Sequence, residues 1–100
     1  MTDSEIIEVI GKYPDLVADA EKAWKIAKLE RERSEALSYF RLKAQTADEK
    51  VTEKWLENKV RTDEEVHKAK LDEIVKESEY NRLYEKLMSA KKMASLRAAF

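Results

Sequence analysis

Only two residues of this 100-residue chain are strong helix breakers, Gly11 and Pro14, and they stand almost side by side. Everything after Pro14 is free to continue as helix. Ala, Leu, Glu, Lys and Arg, the residues that lose least on entering a helix, dominate the rest. No β-branched or aromatic run has the length and alternation of a strand. The expected fold class is all-α.

The caps divide the chain. Thr2 with Glu5 has capping-box spacing and predicts a short N-terminal helix over about 3–11, with Ile6, Ile7, Val9 and Ile10 as its apolar face and Gly11 at its end. Pro14 disfavours helical geometry at Tyr13, and Asp15 is a good cap for a long helix over about 15–44. In that helix Leu16, Ala20, Ala23, Trp24, Ala27, Leu37, Phe40 and Ala44 recur at helical spacing. Its middle, KLERERSE at 28–35, has Leu29 as its only large apolar residue and reads as a solvated face.

Thr46 with Glu49 and Thr62 with Glu65 repeat the capping-box spacing and bracket a connecting helical segment over about 47–60. A second long helix is expected over about 63–98, with Val66, Leu71, Ile74, Val75, Tyr80, Leu83, Tyr84, Leu87, Met88 and Met93 as its apolar set. Threonine also occurs inside helices, so one continuous helix from Thr46 onward is the alternative. Together these elements make a single helical domain over 1–100: a long helical hairpin with a short N-terminal helix.

With 43% hydrophobic and 41% charged residues, such a chain can cover a thin stripe but not fill a thick centre. Completion of the fold by oligomerisation, as a homo-oligomer, is therefore expected. The net charge of −1 conceals 20 basic and 21 acidic side chains, so any attraction to nucleic acid must come from local clustering. The absence of cysteine excludes disulfides, thiolate metal sites and a cysteine nucleophile. MTDSEIIEVI has no basic signal-peptide region, and no apolar run approaches the roughly 20 residues of a membrane span. No membrane association and a cytoplasmic location are expected.

Catalysis has little to work with. His67 is the only histidine, and although Glu64 precedes it at Glu-x-x-His spacing, a di-metal bundle needs that motif twice. With a single glycine there is no loop to bring backbone amides onto a triphosphate. No catalytic residue, metal ligand or cofactor is expected, and the chain is not expected to be an enzyme.

Binding is better supported. Trp55, in EKWLENKV, lies among Lys50, Lys54 and Lys59, the local pattern of a stacking platform for single-stranded bases; the same Trp, near Val51 and Leu56, also suits a core or subunit interface. Trp24, among Ala20, Ala23 and Ala27, reads as core. Lys22, Lys25, Lys28 and Arg31 drift around the first long helix among acids, and Lys91, Lys92 and Arg97 complement the C-terminal end of the last one. Lys50, Lys54, Lys59 and Arg61 differ in lying beside a helix start, where Thr62 and free amides could join them in holding an anion, although Asp63, Glu64 and Glu65 compete there.

Lys59-Val60-Arg61-Thr62-Asp63 resembles the Lys-x-Arg-x-Asp core of the UvsY-type recombination mediators of tailed phages, small helical proteins that assist loading of a recombinase onto single-stranded DNA. The likeness covers about residues 35–100, with KAQTADEKVTEKWLE before the motif and Tyr80, Tyr84 and LMSAKKMASLR after it. It implies that Lys59 and Arg61 contact phosphates; from the local pattern Lys54 and Lys50 are expected to support them, with Trp55 as a stacking residue. It also implies ring-like self-assembly through the last helix, at Leu83, Tyr84, Leu87 and Met88, and a recombinase and a single-strand-binding protein as partners. The acidic run after Arg61 and the pI near 5.9 depart from an avid DNA binder; repetition of a weak site around an oligomer would restore affinity. The alternative is a structural or adaptor helical protein, of phage assembly or protein–protein interaction, that binds no nucleic acid.

Overall fold

The computed structural model describes residues 1–98, and it is built of three helices: α1 (Asp3–Gln45), α2 (Glu53–Arg61) and α3 (Glu64–Ala98). Among the described residues there is no strand, so the class is all-α as expected. The chain groups into two compact units, one formed by residues 1–24 and 75–98, the other by residues 25–74.

The break expected at Gly11 and Pro14 does not occur: α1 runs through both residues, and there is no separate short N-terminal helix over 3–11. At 100° per residue, Ile6, Val9, Ile10, Tyr13, Val17 and Ala20 form one stripe, whereas Gly11 and Pro14 project away from it and are exposed. In the first unit Ile6, Val9 and Val17 bury themselves against Leu83, Leu87 and Ala90 of α3. Burial of three such side chains contributes roughly 1.5–3 kcal/mol each. That outweighs about 3 kcal/mol for an interior proline and about 1 kcal/mol for a glycine. Tertiary packing therefore overrides the local breakers.

The helices of this unit run antiparallel. Arg97 near the end of α3 pairs with Asp3 at the start of α1 and donates to the Met1 carbonyl oxygen at 2.7 Å. Trp24 stacks on Tyr80 with ring centroids 5.4 Å apart, and the Lys86 ammonium lies 5.3 Å from the Tyr13 ring centroid. Leu83 and Leu87 are thus core residues of the chain itself, 7% and 4% exposed. This corrects their expected place in a subunit interface: apolar area buried within one chain is not open to another. Of that set only Tyr84 is exposed, and Met88 is half-buried against the core.

The second unit has a different interior. Its buried residues are Ala27, Ser38, Thr46, Leu56, Val60 and Val66, so the inward face of α1 here is small and polar. Arg31 points inward as well, pairing with Glu73 and donating to both carboxylate oxygens of Glu35 at 3.0 Å. KLERERSE is therefore not wholly solvated, because one of its arginines is spent on an inter-helix ion pair. Leu37 and Phe40, expected on the inner stripe, instead face outward at 59% and 66% exposure.

Two of the three caps are reassigned. Thr46 starts nothing: its hydroxyl donates to the Leu42 carbonyl at 2.8 Å, closing the last turn of α1. The N-cap of α2 is Thr52, whose hydroxyl accepts the Trp55 amide at 3.1 Å. Thr62 is the C-cap of α2, and Asp63 caps α3 by accepting the amides of Glu65 at 2.9 Å and Val66 at 3.4 Å. Separate α2 and α3 exclude the continuous helix from Thr46.

Candidate nucleic-acid interface

Four of the five residues singled out for DNA lie on α2, a helix of nine residues. Leu56 and Val60, 3% and 9% exposed, anchor one face of it. Helical arithmetic puts Lys54, Asn58 and Arg61 on the opposite face, with Trp55 and Lys59 along one flank. Lys54 and Arg61, two turns apart, are separated by about 10 Å along the axis. All are exposed, as is Lys50 in the connection before Thr52.

Trp55 is 37% exposed and so is a surface residue in this chain. The Lys59 ammonium sits 5.6 Å from its ring centroid, a cation–π contact that holds a charge beside an aromatic face. Among the described residues none of Lys50, Lys54, Lys59 and Arg61 forms an ion pair. Their charges remain open to an external anion.

The helix start after Arg61 is not open. Asp63 already receives the amides of Glu65 and Val66, and the Thr62 hydroxyl donates to the Lys59 carbonyl at 2.9 Å. The expected contribution of Thr62 and free amides to anion binding is therefore corrected: the donors are used inside the chain. Asp63 is held in place through its other oxygen, Oδ2, which accepts from Ser38 Oγ at 2.9 Å and from Arg41 Nη2 at 2.6 Å. The Ser38 hydrogen bond is the main cause that holds the Asp63 carboxyl below the usual carboxylate range; desolvation opposes it, and the two capped amides and Arg41 assist.

Arg61 stands between a basic and an acidic side. With Thr62, Glu64, His67 and Lys68 it lines a shallow groove of about 380 Å³. A neighbouring groove of about 290 Å³ adds Lys70 over an apolar floor that includes Val66, Leu71 and Ile74. On its other side Arg61 meets Glu57, Glu35 and Glu32 around a groove of about 510 Å³. Lys70, and Lys68 beside its exposed partner Glu65 at 4.0 Å, thus extend the cationic surface in a way the linear pattern did not reveal. The signal was present in their clustering within the first two turns of α3, but its meaning depends on the turn at Thr62–Asp63.

Among the described residues no group of three or more His, Asp or Glu side chains is placed to hold a metal ion, and no helix is long and apolar enough to cross a membrane. Comparison with family models, with curated proteins and with solved structures finds no match for this chain.

Proposed function

We propose that this chain is a non-enzymatic single-stranded DNA-binding protein of recombination-mediator type, which helps to load a recombinase. The observation that carries the reading is the unpaired cationic set on a short, well-anchored helix, with Lys59 poised over the exposed ring of Trp55. Cations that track a phosphate backbone, next to an aromatic face on which bases stack, are the two parts a sequence-tolerant single-strand site requires. Lys59 and Arg61 are the phosphate contacts, Lys54 and Lys50 support them, and Lys68 and Lys70 extend the path. Recombinase, single-strand-binding protein and a phage setting in the host cytoplasm follow from the resemblance of Lys59–Asp63. Assembly of several copies would repeat a site weakened by Glu57 and Glu64.

The test is the double variant Lys59→Ala with Arg61→Ala, titrated into a labelled single-stranded oligonucleotide over a range of salt. Loss of two phosphate contacts should lower the slope of log K against log salt by about 1.4, with helicity unchanged. Unchanged affinity and slope would refute the assignment. A second reading, a structural or adaptor protein without nucleic-acid binding, is favoured by the exposed apolar side chains Ile26, Leu29, Leu37 and Phe40 of α1. It predicts no salt-sensitive binding at all.

A further inference from the structure

In the second unit four large apolar side chains of α1 are left in water although smaller ones fill the interior beside them. Ile26 is 50% exposed, Leu29 64%, Leu37 59% and Phe40 66%, while Ala27 and Ser38 of the same helix are buried. All four belong to the second unit. At 100° per residue they fall within one sector, and Arg33 lies inside it. The spacing along the helix, Ile26, Leu29, Arg33, Leu37, Phe40, is three, four, four, three. It reads the same in both directions.

That symmetry is what a two-fold contact requires, since an isologous interface brings one patch against its own reversed copy. We propose that residues 26–40 of α1 form the seam of an antiparallel self-association, centred on Arg33. In this register Leu29 meets Leu37 of the second copy and Ile26 meets Phe40, so each contact pairs two apolar side chains with no polar mismatch. The dyad carries two Arg33 side chains, and the charges are balanced from the flank of the stripe: Glu30 of each copy lies about one turn from the dyad, beside the edge of the sector, within reach of Arg33 of the other. Among the described residues neither Glu30 nor Arg33 has an ion-pair partner within its own chain. A second copy supplies one for both.

The extent of the seam sets its strength. Four half- to two-thirds-exposed large side chains with their flanks remove on the order of 500 Å² per copy, or roughly 1,000 Å² in total, at the lower bound for a specific interface. A seam of this size fits a weak, reversible contact. It does not depend on DNA binding, and it lies on α1 rather than on α2.

Sedimentation of the full chain across the micromolar range tests it, together with cysteine variants that take advantage of a chain without native cysteine. The expected result is a reversible monomer–dimer equilibrium, weakened at least tenfold in Leu29→Glu with Leu37→Glu, a pair of exposed substitutions to a good helix former. Under oxidation, Arg33→Cys should form a disulfide dimer by itself, and Ile26→Cys mixed with Phe40→Cys should form the mixed dimer, whereas Ile26→Cys alone should not. A monomer throughout, a dimer unaffected by the paired Glu substitutions, or ready disulfide formation by Ile26→Cys alone would each overturn the proposal. The cysteine variants carry the test by themselves if the Glu variant loses helicity.

Discussion

Ser38 and Asp63 are joined by a 2.9 Å hydrogen bond from the Ser38 hydroxyl to Asp63 Oδ2, and through it the middle of α1 holds the cap of α3. Ser38 is 1% exposed, so its hydroxyl has no access to water if the carboxylate is lost. Asp63→Ala should therefore cost more than Ser38→Ala: about 2–3 kcal/mol, from a lost cap and a stranded buried hydroxyl, against about 1–2 kcal/mol. Urea unfolding followed by circular dichroism measures both. The double variant should be less destabilised than the sum, because the two changes remove one shared contact.

The same carboxylate sets an acid limit on stability. Its folded-state pKa lies below the ordinary carboxylate value, chiefly because of Ser38. The folded state then binds fewer protons than the unfolded state between the two pKa values. The stabilisation is fully present above the unfolded value, near pH 4, and is lost as the pH falls through the folded one. Unfolding midpoints should be flat from neutral pH to about 5 and fall below 4, with a shallower fall in Asp63→Asn. The Glu79 carboxyl is also held low, first by its hydrogen bond to Arg82, but that pair is exposed and screened and should contribute little.

Gly11 and Pro14 lie in a continuous helix, off the buried stripe, and a Cβ at Gly11 would meet nothing within 4 Å. Gly11→Ala should stabilise by about 0.5–1 kcal/mol and Pro14→Ala by up to about 3 kcal/mol. At about 4–8 °C per kcal/mol for a domain of this size, both shifts are readable in a thermal melt. A true break between two helices would make Pro14→Ala neutral or destabilising.

Trp55 can report binding directly. Stacking of bases on its ring should change its emission, with Trp24→Phe used to remove the other indole. Trp55→Ala should weaken oligonucleotide binding by about 1–3 kcal/mol at each stacked base while altering stability little, since the side chain is already partly in water. A large loss of stability with unchanged binding would assign Trp55 to packing instead.

The helical class was legible because nothing in the composition opposes it, and the last helix because no Gly or Pro interrupts it, although Leu71, Ile74, Val75 and Tyr84 of its expected apolar set lie exposed. The continuity of α1 was not, since Gly11 and Pro14 are local signals and the opposing force comes from Leu83, Leu87 and Ala90, more than sixty residues away. Thr46 and Thr62 misled for a related reason: a threonine hydroxyl serves a helix end as readily as a helix start. The inward turn of Arg31 depends on Glu73 and could not be read from KLERERSE alone. For the candidate site, the exposure of Lys54, Lys59 and Arg61 followed from anchoring α2 by Leu56 and Val60, a pattern visible in the sequence. The closing of the α3 start by Asp63 was visible only as competition.

The most direct measurement is titration of the purified chain into a fluorescently labelled single-stranded oligonucleotide, read by anisotropy at low and at moderate salt. The mediator reading predicts saturable binding that weakens steeply as salt rises, with mixed sequences bound alike. No change in anisotropy at low salt, with the protein folded and at concentrations well above micromolar, would contradict it and leave the cations of α2 as a solvated helix face.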